Sequence, residues 1–407
     1  MTGLLLAQAL KKLGIPYRVF ERDSSRCWRS QGWGLTVHSF SAPKIRYLLP
    51  DVVSAQIPSV LVDPVNAADM TDLMILDMST GEPLTAMRVP GRMRLNRKKT
   101  RDLFLEGGGG VDVQWNKTVV SYGATEHGVK AVFADGSEYE GGMLVGVDGA
   151  RSVVRSVLCS DKAALNILPI TFLGIQLDIT REEISPLLKI DPITFLGLSQ
   201  AADACLFYAV MSSPEVNGTA SLAPSEHRWH VQLSVSWQKR AGDISVPDSN
   251  EGRVQLLHQK LAHVWPPLKD AVLNHTTHEN IQVDVLSIGD WVPLQEGWDN
   301  LDGRVTLAGD AAHTMTMFRG EGFNNAVLDA YNLVQAITQV YSEPVSSPNF
   351  AEQRKKLIDE YEQELRARGA RVVLASREQC MRVHNWEEYI EWTRKSTWGI
   401  PHEQPSP

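Results

Sequence analysis

The sequence has few cysteines, no long apolar run and no excess of basic residues. Its four cysteines are scattered without C-x-x-C or Cys/His ligand spacing, so neither a disulfide framework nor a zinc site is indicated and a reducing compartment is expected. No stretch reaches the roughly 18 apolar residues of a membrane span, and the N-terminus lacks the pattern of a secretory signal. We therefore predict a cytoplasmic protein without a membrane span or a bound metal.

Charge and length narrow the class further. The net charge of -8 argues against a nucleic-acid or anionic-membrane partner. A chain of 407 residues exceeds the usual size of one core, which favours two closely packed domains. The content of 43% hydrophobic and 22% charged residues is that of an ordinary globular protein.

The most informative stretch is residues 303–332, which read G-R-V-T-L-A-G-D-A-A-H-T-M-T-M-F-R-G-E-G-F-N-N-A-V-L-D-A-Y-N. The pattern predicts a strand over 305–308, a loop, and a helix from near Asn324. Glycines and the free N–H groups of a helix start suit a phosphate or the edge of an electron-rich ring, whereas an aspartate suits a ribityl or ribose hydroxyl. A plain strand–turn–helix connection is the alternative. The candidate ligand contacts are Gly309, Asp310, Gly320, Gly322, Phe323 and Asn324.

A second motif lies at residues 143–155, M-L-V-G-V-D-G-A-R-S-V-V-R. A buried strand leads to Asp148 and Gly149, and Ser152 and Arg155 open a helix. The two motifs, G-D-A-A-H with R-G-E-G-x-N-N and D-G-x-x-S-x-x-R, resemble those of the FAD-dependent aromatic hydroxylases, the single-component flavoprotein monooxygenases. The longer form of the first motif is most similar to fungal members, which are widespread in secondary metabolism.

The N-terminus resembles the later part of a dinucleotide-binding βαβ unit. Residues 3–13 predict a helix, and 17–22 predict a strand that carries Glu21, 18 residues after Gly3. Gly3 would be the third glycine of G-x-G-x-x-G, and Glu21 the acid for the ribose. The preceding strand and two glycines are missing, which predicts either a protein ten to fifteen residues longer, the reading we favour, or a shortened form that binds FAD poorly.

Arginines near residues 22–29 and 92–101 are candidates for binding the FAD phosphates. Arginine's planar fork suits a pyrophosphate, and glycines let the backbone lie against a flavin, although a solvated basic loop is an equal alternative for any one arginine. The resemblance implies a phosphate contact at Arg97 and a flavin contact at Gly34. Arg92, Arg94 and Arg101 could form a solvated face instead. The remaining candidate cofactor contacts are Glu21, Arg22, Arg29, Asp148 and Gly149.

The predicted fold class is α/β. It comprises a Rossmann-like FAD-binding domain whose first strand is missing, interleaved with a mixed-sheet substrate domain and C-terminal helices. The predicted division is 1–165 and 291–345 for the FAD-binding domain, with part of the substrate sheet inserted in the first, 166–290 for the substrate domain, and 346–407 for a helical segment. Four aromatic residues are possible pocket lining, although each is more often plain core: Phe172, Phe195, Phe207 and Trp237.

The resemblance implies an FAD-dependent monooxygenase that uses NAD(P)H, with NADPH bound transiently, and O2. The substrate would be a medium-sized apolar or aromatic metabolite that is hydroxylated or epoxidised. Such chemistry needs a pocket that excludes water and orients the substrate, and it does not require a Ser/His/Asp catalytic triad. A flavin oxidase or dehydrogenase of the same fold and a truncated non-catalytic protein are alternatives. No catalytic base is assigned: His313 is predicted to be structural, and His38 and Arg319 are weaker candidates.

Overall fold

The structure is a computed structural model that describes residues 1–26, 32–66, 72–89, 91–243, 245–276 and 281–395. Within these ranges the chain forms sixteen strands. In order they are β1 (Val19–Phe20), β2 (Leu35–Val37), β3 (Asp72–Asp77), β4 (Glu82–Arg88), β5 (Met93–Leu95), β6 (Val113–Gln114), β7 (Val119–Ala124), β8 (Val129–Phe133), β9 (Glu138–Gly141), β10 (Leu144–Gly146), β11 (Asn166–Ile179), β12 (Thr194–Ser199), β13 (Ala204–Ser212), β14 (Trp229–Gln238), β15 (Asp284–Asp290) and β16 (Val305–Leu307).

Thirteen α-helices alternate with these strands in the same described ranges. They are α1 (Thr2–Lys12), α2 (Ala42–Leu48), α3 (Asp51–Ser54), α4 (Arg97–Glu106), α5 (Val153–Cys159), α6 (Arg181–Leu188), α7 (Pro214–Asn217), α8 (Asn250–Leu261), α9 (Pro266–Leu273), α10 (Asp310–His313), α11 (Gly322–Val340), α12 (Phe350–Val383) and α13 (Trp386–Lys395). Side chains cap several of them: Asn96 accepts a hydrogen bond from the Lys99 N–H, and Thr180 forms a capping box with Glu183. No helix in the described part of the chain combines the length and apolarity needed to cross a bilayer.

Two short parallel strand pairs lie beside the N-terminal helix. β1 pairs with β6, and β10 pairs with β16. Helix α1 packs its apolar residues with α11, α12 and β16 in one core that includes Leu5, Val305, Val327 and Ile358. The predicted helix at 3–13 and the predicted strand at 305–308 are therefore confirmed within one or two residues, whereas the strand predicted at 17–22 forms only over Val19–Phe20.

A seven-stranded sheet dominates the second half, in the order β15-β11-β14-β13-β12-β3-β4. All neighbours are antiparallel except β12 and β3. β3 and β4 come from residues 72–88, so the first part of the chain contributes to this sheet. The mixed sheet beside parallel pairs and C-terminal helices confirms the predicted α/β class.

The two faces of this sheet have different partners. One face packs against α6, α8 and α9 and contains Phe195 and Trp237. The opposite face, here called the inner face, contains Phe172 and Phe207 and packs against α12, α13, Trp33 and Phe318. Phe195 and Trp237, two of the four aromatic residues named as possible lining, thus lie in the core on the helix-covered face and not on the inner face, because alternate residues of a strand point to opposite faces.

Some charged residues predicted to be solvated are buried. Arg92 directly precedes β5 and Arg94 lies within it, and the two residues are 4% and 3% exposed. Arg368, in helix α12, is also buried. Each of these guanidinium groups contacts a distant part of the chain, which local sequence patterns do not reveal.

Candidate functional site

The N-terminus of α1 lies at the carboxyl ends of β10 and β16. A Cβ atom built on Gly3 would lie 2.9 Å from Val147 Cγ2, and one built on Gly309 would lie 2.5 Å from Thr2 Oγ1. Both glycines therefore permit a close approach that a side chain would prevent. A helix start above the ends of parallel strands is the arrangement that binds dinucleotide phosphates in α/β folds.

A cavity of about 1640 Å³ begins at this helix start. Residues of α1, β1 and β10 line it. So do six residues that could contact a ligand through a polar side chain or the backbone: Glu21, Arg22, Arg97, Arg101, Asp148 and Gly149. Five of the predicted cofactor contacts are thus brought together around one space. A carboxylate at one end, guanidinium groups and a helix N-terminus match the ribose hydroxyls and the diphosphate of an adenine dinucleotide.

Strands of both parallel pairs line the same cavity. Val19 and Phe20 of β1 and the whole of β10 line it, and within the described ranges each of these strands pairs with one other strand. Burial and the Arg97 charge lower the pKa of the Met1 amino group at its edge to about 6.

Asp148 has a structural role as well as its place at the cavity. Its carboxylate accepts hydrogen bonds from the Val153 and Val154 N–H groups at 2.7 and 3.2 Å and from the Ser152 hydroxyl. These bonds satisfy the start of α5 and hold the Gly149 turn, where φ is +84°. The side chain thus fixes the loop that faces the cavity.

Arg155 joins the two sequence motifs. Its side chain is 2% exposed and donates hydrogen bonds to the Ala311 carbonyl at 3.1 Å and the Asp310 carbonyl at 3.4 Å. The guanidinium group also lies 4.8 Å from the centre of the Trp291 ring. The D-G-x-x-S-x-x-R and G-D-A-A-H segments are consequently one structural unit.

Asp310 presents a free carboxylate beside this unit. It is exposed, and among the described residues its side chain has no hydrogen-bond or ion-pair partner. Its neighbour Gly309 is held at φ +64° and donates its N–H to Asp329 at 2.7 Å. The backbone here is fixed, while the carboxylate remains available to a hydroxyl ligand.

A buried charge network holds that backbone. The Asp329 carboxylate accepts hydrogen bonds from the Gly309 N–H, from His313 Nε2 at 2.6 Å and from Arg368 at 2.7 Å. The side chains of Asp329, His313 and Arg368 are all buried. Burial opposes both charges, but His313 and Arg368 hold the pKa of Asp329 below its usual value, and Asp329 raises that of His313. This geometry is consistent with the structural role predicted for His313. Sequence reasoning missed Asp329 and Arg368, for which no local signal exists.

The loop after G-D-A-A-H is tied to strand β2. The Asn324 side chain accepts the His38 N–H at 2.8 Å and the Ser41 hydroxyl at 2.5 Å, and it donates to the Thr36 and Gly320 carbonyls, both at 2.9 Å. Asn324 is fully buried, and these four hydrogen bonds make its side chain the organising group of the loop.

The remaining predicted contacts surround this loop. Gly322 begins α11, and Phe323 packs partly buried against the main core. Gly34 approaches the Arg94 guanidinium so closely that a Cβ atom would lie 2.7 Å from Nη2. Arg29 lies outside the described residues.

The comparisons with known proteins agree with this site. A family model described as an FAD binding domain matches residues 254–376. The FAD-dependent monooxygenase dbaB of Emericella nidulans is 37% identical over 349 residues, which cover 84% of this chain and 86% of that protein. The chain belongs to the FAD-dependent monooxygenases. A second relative, the FAD-dependent monooxygenase phnB of Penicillium herquei, is 30% identical over 96% of this chain and 91% of its own length.

Two solved structures share the fold. HpxO of Klebsiella pneumoniae, complexed with FAD and uric acid, superposes with a TM-score of 0.70 at 19% identity and covers 96% of this chain and 88% of that one. The 2,6-dihydroxypyridine-3-hydroxylase of Arthrobacter nicotinovorans gives a TM-score of 0.70 at 19% identity, covering 94% and 90%. This monooxygenase is thus an FAD-dependent oxidoreductase, and its cavity residues fit the dinucleotide part of that cofactor.

Replacing Asp310 by alanine is expected to weaken FAD binding about tenfold or more, because a charge-assisted hydrogen bond contributes about 1.5–3 kcal/mol. The dissociation constant can be measured by titrating apoprotein with FAD and following flavin fluorescence. Asp270→Ala, an exposed change on α9 beyond the other face of the sheet, is the matched control. Equal FAD affinity in both variants would contradict a ligand role for Asp310.

Proposed function

We propose that this monooxygenase uses NAD(P)H and O2 to hydroxylate or epoxidise a medium-sized apolar or aromatic metabolite of a secondary-metabolite pathway. The observation that carries the proposal is the inner face of the seven-stranded sheet. It presents apolar and aromatic side chains, among them Phe172 and Phe207, toward Trp33 and Phe318. Phe318 lies in the loop of residues 314–321 that follows G-D-A-A-H, here called the flavin loop. The apolar layer therefore adjoins this loop, as a water-excluding substrate pocket requires.

The chain's residues would divide the work of holding the cofactor. Glu21 suits the ribose hydroxyls, Arg22 and Arg97 the diphosphate, and Asp310 the ribityl chain. The backbone of 320–324 and Gly34 suit the flavin ring, because glycine permits close approach there. When bound, FAD supplies the reduction of O2 and the transfer of one oxygen atom to the substrate.

The proposed domain division follows the same logic. Residues 1–165 and 291–345 would hold FAD, residues 166–290 together with β3 and β4 would cover the substrate, and the C-terminal helices would brace the inner face. NADPH would bind transiently, since the sequence contains a single partial dinucleotide fingerprint. The substrate would therefore meet the flavin at the boundary between the sheet and the FAD-binding part.

The test is turnover by the FAD-loaded protein. A panel of phenols, naphthols and fused-ring aromatics is supplied with NADPH and isotopically labelled O2. The expected result is substrate-stimulated NADPH oxidation with one labelled oxygen atom in the product. Formation of hydrogen peroxide and a dehydrogenated, unlabelled product without consumption of NADPH would contradict the proposal and indicate an oxidase.

A further inference from the structure

Arg94 spans the boundary between the FAD-binding part and the inner face of the sheet. It is 3% exposed, and its guanidinium group donates hydrogen bonds to Thr36 Oγ1 at 3.1 Å and to Gln232 Oε1 at 3.4 Å. It also lies 5.4 Å from the centre of the Phe207 ring. Thr36 belongs to the strand tied to the flavin loop, so Arg94 points to the place where substrate and flavin would meet.

This buried cation has no counter-ion. Among the described residues no aspartate or glutamate pairs with Arg94, its Nε has no hydrogen-bond partner, and the nearby Arg92 repels it. Burial and that repulsion lower the Arg94 pKa to about 10. Arg92, two residues earlier, is paired with Asp191 at 3.0 Å. A buried charge without a partner is costly, and a bound anionic ligand would compensate the charge of Arg94.

The surroundings of Arg94 describe that anion. Gln232, Ser234 and Ser236 are buried and alternate along β14 on the inner face, and the Ser234 hydroxyl has no hydrogen-bond partner among the described residues. Phe207 supplies an aromatic surface beside them. Apolar and aromatic walls with one cation and a few neutral polar groups suit a planar organic anion better than a hydrated inorganic one.

We propose that Arg94 anchors an anionic oxygen conjugated to the aromatic ring of the substrate, either a carboxylate or a phenolate or enolate. Arg94 is thus a specificity-determining residue. This assignment deepens the proposed function, since it concerns the substrate of that same pocket. The planar guanidinium fork binds such a delocalised oxyanion through charge-assisted hydrogen bonds, while Phe207 and the inner face contact the ring.

The test uses pairs of probes that differ in charge and little in shape. FAD-loaded protein is titrated with 2-naphthoate against 2-naphthamide and with 4-nitrophenolate against 4-nitroanisole, and binding is followed by the change in flavin absorbance. We expect the anion to bind about tenfold or more tightly than its neutral partner in at least one pair. Which pair shows the preference identifies the carboxylate or the phenolate class.

Two variants and a control make the assignment specific. Arg94→Met should abolish the preference, Arg94→Lys should keep part of it, and Arg240→Met, which removes an exposed arginine paired with Asp203, should leave it intact. Equal binding of both members of each pair by the unaltered protein, or a preference that survives in Arg94→Met, would overturn the assignment.

Stability separates a ligand anchor from a structural arginine. Without its charge, Arg94→Met should melt at the same temperature as the unaltered apoprotein or higher, because an uncompensated buried charge is removed. A lower melting temperature together with an unchanged anion preference would show a structural role and overturn the assignment. An anion preference in a protein that forms no oxygenated product would support Arg94 and count against the proposed reaction alone.

Discussion

Fusing an apolar strand of about six residues and a Gly-x-Gly-x-x-Gly loop ahead of Met1 is expected to raise FAD affinity by on the order of a hundredfold. We expect such a strand to pair inside the cavity, because β1 and β10 both line it and each has one partner strand within the described ranges. The new loop would also bring backbone N–H groups to the diphosphate. Two charge-assisted hydrogen bonds of about 1.5 kcal/mol each suffice for this gain.

The measurement is the FAD dissociation constant of apoprotein, together with the flavin content after purification. A Gly/Ser extension of equal length is the control, since it moves the Met1 amine out of the cavity without forming a strand. Equal gains from both extensions would attribute the effect to that amine, whose pKa is lowered by burial and by Arg97. No gain from either would refute the reading of the cavity as a strand site.

Replacing Asp329 by asparagine is expected to lower the free energy of unfolding by about 3–5 kcal/mol, the usual cost of removing one partner of a buried ion pair. The substitution leaves Arg368 and His313 buried without their shared anion. Chemical denaturation followed by tryptophan fluorescence measures this loss. Asp203→Asn, which breaks the exposed pair with Arg240, should cost less than about 1 kcal/mol.

The pH dependence of stability gives the same network a second signature. Because the Asp329 pKa is lowered in the folded state, its contribution is present above the ordinary value of 3.8 and is lost as the pH falls through the folded value. Because the His313 pKa is raised, its contribution is present below 6.5 and is lost as the pH rises through the folded value. The network should therefore stabilise most between pH 3.8 and 6.5, and Asp329→Asn should flatten both limbs. Unchanged limbs in the variant would contradict the assignment.

The sequence predicted those parts of the molecule that depend on local patterns. The strand at 305–307, the helix after it and the helix at the N-terminus follow from apolar periodicity and glycine positions, and all three form. The motifs also predicted the cofactor, because Gly309 and Asp310 resemble a known flavin-binding pattern. Their placement beside Arg155 follows from a contact across 156 residues, which the spacing alone does not encode.

Residues whose partners lie far away were the ones that sequence reasoning misplaced. Arg92 and Arg94 were considered for a solvated face, since arginine usually is exposed, yet both are buried against distant side chains. Phe195 was taken for possible lining, although its position in β12 places it on the face covered by helices. Strand register, which decides between the two faces, depends on pairing with other strands and cannot be read from one segment.

The hydrogen bond between the His38 N–H and Asn324 spans 286 residues and has a consequence for folding. Contacts of such long sequence separation form late, since the entropy of closing the loop must be offset by other interactions first. During synthesis the N-terminal helix and β2 emerge long before the segment that organises them. The flavin loop should therefore become ordered only after synthesis has passed residue 324. Chains that end earlier should expose unpaired strands, bind chaperones and fail to bind FAD.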